Sequence, residues 1–421
     1  MRISIRNLTL YKETMKTIKL IFLIKILIIG IFTFYLDGFS QSKSCIGLPD
    51  NKMLPVIELK GNGYERGLQH GKQLKSEIAE IIKKWKGNIV SPTQNADSVI
   101  TEFLNKTDFE SAINRWTPEI MDEVKGIADG SGQKFNDVFG FQLLDEFWVY
   151  FDRRANIGSD HCSTIGVSAT KNHSAYIAQN MDLENYMNGY QILLHILGTK
   201  TEPEQYILTC AGLIATTGMN VKGIGVVVNT LMELQSSEKG LPVAFVIRGI
   251  LNKQNGESAL TFVKSVNHAS GQNYIIGIQD SVYDFEASSN QIIRFHPKGE
   301  RTGIVYHTNH ALVNHDIKPW YSEYHRKVLA SETKNTNSEI RFGALEKRLD
   351  KPIEEISSDI IKATLRSKDN EEDPVCRTYK NEGSGVFTFG SVLYTLSGKC
   401  SVQLTFGSPD KSEYHEYFFK K

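Results

Sequence analysis

The sequence predicts an α+β protein, on three observations. Helical spacing dominates the region from Tyr64 to Trp148, short β-rich runs take over at Cys162, and helices return between those runs. In the first region Ser76-Glu77-Ile78-Ala79-Glu80-Ile81-Ile82-Lys83-Lys84-Trp85 has apolar residues three to four apart. Pro118-Glu119-Ile120-Met121-Asp122-Glu123-Val124 opens with proline, which a first helical turn tolerates because its missing N–H has no intrahelical partner there. The β-like runs include Ala175 to Ala178, Gln191 to Leu194, Val226 to Asn229 and Tyr274 to Gly277, and further helices are expected near Val243 to Leu251, Glu257 to Val266 and Glu323 to Ser331.

No Pro/Ser-rich linker, repeat or long charge run divides the chain. We therefore read 1–40 as a signal peptide, 41–161 as a mostly helical chain and 162–421 as a β-rich chain, with 41–421 forming one domain. Lys plus Arg total 48, equal to Asp plus Glu at 48, so no net field attracts nucleic acid or an anionic surface. Residues 16–36 form a basic start and an apolar core followed by the small residues of Gly38-Phe39-Ser40, the pattern of an export signal. Uncleaved, the same stretch approaches membrane-spanning length and would be an anchor. Met15 offers a more ordinary start than Met1, and Ser42-Lys43-Ser44 makes a poor lipobox for Cys45.

The chemistry concentrates in Asp160-His161-Cys162-Ser163-Thr164-Ile165 and Gln179-Asn180-Met181-Asp182, a lone thiol before a strand and a carboxylate one hairpin later. If the bond between His161 and Cys162 is cut, Cys162 carries a free α-amine beside its thiol, so nucleophile and general base lie on one residue. An α-amine titrates at about 7.7 to 8 and is partly unprotonated at neutral pH, ready to take the thiol proton. The bland alternative is a small buried hydrophobe in a β-rich stretch. Downstream lie Asn220 at a polar turn, Val305-Tyr306-His307-Thr308-Asn309-His310, and Trp320-Tyr321-Ser322-Glu323-Tyr324-His325-Arg326. Neutral amides and a cation are the donors that stabilise a developing oxyanion. A papain-like site would instead require His307 or His310 as the base.

These segments, with Glu58-Leu59-Lys60-Gly61, Tyr64-Glu65-Arg66-Gly67, Gln69-His70-Gly71, Val375-Cys376-Arg377, Gly390 to Tyr394 and Phe406-Gly407-Ser408-Pro409, resemble one known family. It is the acyl-coenzyme A to 6-aminopenicillanic acid acyltransferase family of N-terminal-nucleophile hydrolases, with choloylglycine hydrolases and acid ceramidases more distant. The resemblance runs from about residue 55 to the C-terminus. It implies a four-layer αββα sandwich, self-cleavage between His161 and Cys162, and no cofactor or metal. It also implies that Cys162 is the nucleophile, Asp182 the carboxylate that orients the amine, Asn220 and Asn309 the amide donors, and Arg326 the arginine that holds the cysteine. His161 replaces the usual glycine, Ser163-Thr164 reverses the familiar order, and Gln179 stands where the choloylglycine branch has arginine.

The expected activity is hydrolysis of a linear, non-peptide amide of a small molecule with an apolar acyl group. Acyl transfer to an amine and a catalytically dead envelope protein are the alternatives. Export disfavours acyl-coenzyme A, a cytosolic metabolite, as the donor, and contact with a membrane is expected only through an uncleaved signal segment. Five cysteines allow one nucleophile plus up to two bridges. Cys376 and Cys400 flank the last hairpin-like strands and form the expected pair, while Cys210 reads as core.

Overall fold

The computed structural model describes residues 53–420 apart from residue 92 and residues 152–161, 298–301, 331–334 and 381–384. The signal or anchor reading of residues 1–40, Cys45 and His161 lie outside the described residues. Strand β1 (Val56–Leu59) precedes seven helices: α1 (Gly63–Gln73), α2 (Lys75–Asn88), α3 (Ala96–Lys106), α4 (Phe109–Trp116), α5 (Pro118–Ser131), α6 (Phe135–Gln142) and α7 (Leu144–Tyr150). Then come β2 (Ser163–Val167), β3 (Tyr176–Glu184), β4 (Gln191–Ile196), β5 (Gln205–Cys210), β6 (Thr217–Asn220) and β7 (Ile224–Thr230). Helices α8 (Val243–Leu251) and α9 (Gly256–Ser265) lead to β8 (Gln272–Ile278), β9 (Ser281–Ala287), β10 (Ile292–Phe295) and β11 (Ile304–His307). The chain closes with α10 (Pro319–Leu329), α11 (Asn337–Arg348), α12 (Ser358–Leu365), β12 (Val386–Thr395), β13 (Ser401–Leu404) and β14 (His415–Phe418).

The strands form two sheets. One runs β1-β4-β5-β6-β7-β8-β9-β10, the other β11-β2-β3-β12-β13-β14. Every pairing is antiparallel except β1 with β4, so the segment read as mostly helical also supplies a parallel edge strand. Strands β2 and β3 pack face to face against β7 and β8; α8 covers β6 and β7 from outside, and α11 and α12 cover β11, β3 and β12. Alternation sorts the side chains of the second sheet: Ile165, Val167 and Ala178 join Leu345, Leu349, Ile361 and Leu365 beneath the outer helices, whereas Ile177 and Met181 turn to the inter-sheet core. The layers are therefore helix, sheet, sheet, helix.

Two local devices lock the helical layer. Gly63, Gly67 and Gly71 lie on one face of α1, and a Cβ on Gly67 would stand 1.9 Å from the Glu123 carbonyl oxygen of α5. The Tyr64-Glu65-Arg66-Gly67 and Gln69-His70-Gly71 segments are thus backbone-to-backbone packing motifs. Arg66 of α1 and Arg248 of α8 both bond Glu123 inside the core, at 3.0 Å and at 2.6 and 2.8 Å, joining three helices through one carboxylate. Burial pushes the Glu123 carboxyl up, but Arg248 and Arg66 outweigh it and hold the group at about 2. Gln142, at the end of α6, clamps the β5–β6 turn by donating to the Gly212 carbonyl at 2.8 Å and accepting from the Ile214 amide at 2.9 Å.

The expected bridge between Cys376 and Cys400 is absent. The Cys376 thiol donates to Asp410 at 3.3 Å and the Cys400 thiol to the Leu396 carbonyl at 3.2 Å, so neither is in a disulfide. A ten-residue strand, β12, lies between them. Arg377 bonds Thr388 near its start and Cys400 bonds Leu396 just past its end, about eight residues or some 25 Å apart along the strand at about 3.3 Å per residue. Cys210 is fully buried in β5, as its apolar neighbours suggest.

Candidate active site

The site forms where β2 begins. Cys162 is 8% exposed and leads directly into the hydrogen-bonded strand, so pairing of β2 with β3 and β11 fixes its backbone. Its carbonyl oxygen accepts from Asn229 Nδ2 at 2.8 Å and from Arg341 Nη1 at 2.7 Å, while its thiol sits 3.7 Å from Met181 Sδ and 3.9 Å from the Asp182 carbonyl. Asn229, near the end of β7, is itself held by Thr164, whose hydroxyl donates to Oδ1 at 2.6 Å. The residue therefore points across the gap between the sheets.

Arg341 is the organising cation. From α11, fully buried, it also donates to Ser163 Oγ and Asn309 Oδ1, both at 3.0 Å, and to Asn337 Oδ1 at 3.0 Å. Burial lowers its pKa to about 10, which leaves it cationic at neutral pH. Asn309, in the loop after β11, donates to the Thr230 carbonyl at 3.1 Å, and its second Nδ2 proton has no partner among the described residues.

Asp182 lies on β3, its side chain fully buried, and among the described residues neither carboxylate oxygen accepts a well-formed hydrogen bond, Thr388 being its nearest hydroxyl influence. Arg377 approaches to 4.0 Å. Burial dominates and raises its pKa to about 7, against the opposing pull of Thr388, Arg377 and Arg341. Cys162, Asp182 and Asn309 line one pocket whose other walls include Leu144, Trp148, Leu183, Leu213 and Ile247. The pocket opens to solvent and its lining is mainly apolar, which suits a mainly apolar small molecule.

The structure brings Cys162, Asp182 and Asn309 together and leaves two expected residues outside. Asn220, at the end of β6, donates both Nδ2 protons, to Leu251 and Lys253 carbonyls at 2.7 and 3.0 Å, and accepts from the Lys222 and Ile224 amides. It ties the β6–β7 turn to the end of α8 and has no donor to spare. Asn229, at the far end of the next strand, is the amide that reaches Cys162. Arg326 is exposed on α10, a helix without a buried residue, and Arg341 occupies the place expected for it. The legible signal for Arg341 is the Thr336/Glu339 capping box that starts α11. The papain-like alternative finds no base: His307 is buried between Glu286 at 2.9 Å and the Thr308 carbonyl, His310 bonds Ser338 at 2.7 Å, and neither lines the pocket.

Two variants separate the arginines. Arg341→Lys, which cannot bridge Cys162, Ser163 and Asn309 at once, is expected to lower activity about 100-fold, given ~1.5–3 kcal/mol per charged hydrogen bond. Arg326→Ala should stay within about 0.5 kcal/mol of wild type in stability and keep its activity. Steady-state rates and thermal melts check both, and an inactive Arg326→Ala would reverse the assignment.

A sandwich of two sheets between helical layers, whose central hairpin starts at a pocket cysteine, is the architecture of the N-terminal-nucleophile class of acyl-transfer proteins. Within it, the chain belongs to the acyl-coenzyme A:6-aminopenicillanic acid acyl-transferase family, whose model matches residues 168–411. The chain is 25% identical over 260 residues to the 40 kDa form of acyl-coenzyme A:6-aminopenicillanic-acid-acyltransferase of Emericella nidulans, covering 62% of this chain and 70% of that one. It is 31% identical over 117 residues to Protein dcd1A of Dictyostelium discoideum, 24% of this chain and 26% of that protein's length. Among solved structures it resembles a Caenorhabditis elegans N-acylethanolamine-hydrolyzing acid amidase ortholog, at 14% identity and a TM-score of 0.38, covering 62% of this chain and 100% of that one. A conjugated bile acid hydrolase of Clostridium perfringens matches at 12% identity and a TM-score of 0.38, covering 61% and 97%.

Proposed function

We propose that this protein is an exported cysteine amidohydrolase that matures by cutting itself between His161 and Cys162 and then hydrolyses a linear amide with an apolar acyl group. The observation that carries the reading is Asp182: a fully buried carboxylate that accepts no hydrogen bond among the described residues and has only a long, 4.0 Å approach from Arg377, lining the same pocket as the Cys162 thiol. Such a group is costly unless a cation meets it. Cleavage before Cys162 creates an α-ammonium on the next-door residue.

In maturation the Cys162 thiol attacks the His161 carbonyl carbon, the acyl group moves from nitrogen to sulfur, and water hydrolyses the thioester. In turnover the α-amine takes the thiol proton and the thiolate attacks the substrate carbonyl. The proton passes to the departing amine, leaving an acyl thioester at Cys162. Water then releases the carboxylic acid and restores the thiol. Asn309's unpartnered N–H is the available oxyanion donor. Export rests on the apolar segment 16–36, read from sequence.

Intact mass with N-terminal sequencing, wild type beside Cys162→Ala, tests the proposal. We expect two chains in wild type, one starting at Cys162, and a single inactive chain in the variant. A cut variant, or activity without Cys162, overturns it. Adding a competing amine measures acyl transfer: new amide product in place of acid would make the enzyme an acyltransferase.

A further inference from the structure

The proposed chemistry makes no use of a second acidic group in the pocket. Asp145 and Trp148 both line it from α7, and being three residues apart they share one face of that short helix. Asp145 Oδ2 accepts from Thr230 Oγ1 and Gln272 Nε2, both at 2.7 Å. Its Oδ1 accepts no hydrogen bond, and no cation pairs with the carboxylate, among the described residues. Glu146 beside it accepts from Ser270 and the Val243 amide, and both burial and the Asp145 charge push its carboxyl up to about 7. Burial raises the Asp145 carboxyl as well, against the bonds from Thr230 and Gln272, so a cation arriving beside it would favour its charged form. The nearby arginines are spent elsewhere, Arg341 on Cys162, Ser163 and Asn309, and Arg377 on Asp182 and Asp373.

Resting on the reading of Cys162 as a reactive pocket thiol, we propose that the substrate is an amide whose apolar arm ends in an alkylammonium group, held between the Asp145 carboxylate and the Trp148 ring. A carboxylate one helical turn from an indole offers a charge partner and a cation–π face at the same place. The surrounding Leu144, Leu213 and Ile247 accommodate the methylenes that lead to it. A neutral acyl arm would shield Asp145 from water without giving it a charge partner, which the pocket disfavours.

Paired reagents test this without knowledge of the substrate. Alkyl methanethiosulfonates of increasing length, each as an ω-ammonio and an ω-methyl form, react with the full-length protein; the thiolate attacks the sulfenyl sulfur and expels methanesulfinate. Peptide mapping follows the rate at Cys162, with Cys162→Ala as the blank. At the chain length that fits, the ammonio reagent should react about tenfold or more faster than its neutral partner, corrected for their reactivity toward free cysteine. Asp145→Asn should bring that ratio near one, and Asp145→Glu should restore part of it. Should Asp145→Asn fail to fold, Trp148→Leu should still lower the ratio severalfold. An unchanged ratio in Asp145→Asn, with labelling still fast at Cys162, overturns the substrate class and leaves the amidohydrolase reading standing. If neither reagent labels Cys162 faster than free cysteine, that reading fails and the substrate class falls with it.

Discussion

Asp182→Asn is expected to leave the chain folded and uncut, and to lower amide turnover by about 10³- to 10⁴-fold. An isosteric amide cannot hold the α-ammonium of a newly exposed Cys162 or keep the amine oriented toward the thiol, and removing an orienting carboxylate elsewhere has a penalty of that order. The same variant should be more stable than the uncut wild type at high pH. The Asp182 carboxyl titrates near 4 when unfolded and at about 7 when buried, so between those values the folded chain binds the extra proton. Wild-type stability therefore falls as pH rises from 4 to 7, by on the order of 2–4 kcal/mol, and the asparagine variant is spared that loss. Melting Cys162→Ala with and without Asp182→Asn across pH 4 to 8 separates the two effects. Equal pH dependence in both chains would mean that Asp182 is already satisfied before maturation.

Glu123→Ala should have the largest effect on folding. Two buried guanidiniums, Arg66 and Arg248, share this carboxylate, and its loss leaves both charges in the core with fewer acceptors. Breaking a buried pair on one side costs about 3–5 kcal/mol, a large part of the 5–15 kcal/mol typical of a folded domain, and lowers Tm by on the order of 10 °C. Because the cluster is buried, added salt should not relieve the loss. The depressed carboxyl stabilises the fold above pH 4, and that contribution disappears as pH falls toward 2. The difference between wild type and variant should shrink over the same window. A loss below about 1 kcal/mol at pH 7 would show that the cluster contributes little.

Much of the architecture was legible along the chain. The apolar spacing of Ser76 to Trp85, the proline at 118 and the runs at Gln191 and Tyr274 each match an observed element. These signals are local: a helix or half-buried strand must repeat its apolar face at 3.6 or two residues, whatever it packs against. The pairing of Cys162 with Asp182 was equally accessible, since one antiparallel hairpin brings them together.

The misread residues share a cause. Asn220 precedes β7 and Asn229 lies near its other end, and local sequence does not say which end approaches β2. Arg326 and Arg341 lie on successive helices, and only the packing of α11 beneath β11 and β2 decides which guanidinium enters the core. Cys376 and Cys400 look adjacent to a hairpin but are separated by the length of β12. By itself the sequence determined the elements, the candidate thiol and its carboxylate, because periodicity and short-range pairing are written in neighbouring residues. The tertiary structure alone decided which asparagine and arginine face Cys162, that Asp182 is buried with no hydrogen bond and only a distant Arg377, and that Asp145 and Trp148 share its pocket. Those facts depend on which surfaces of distant segments meet, and that is set by burial of the whole chain at once.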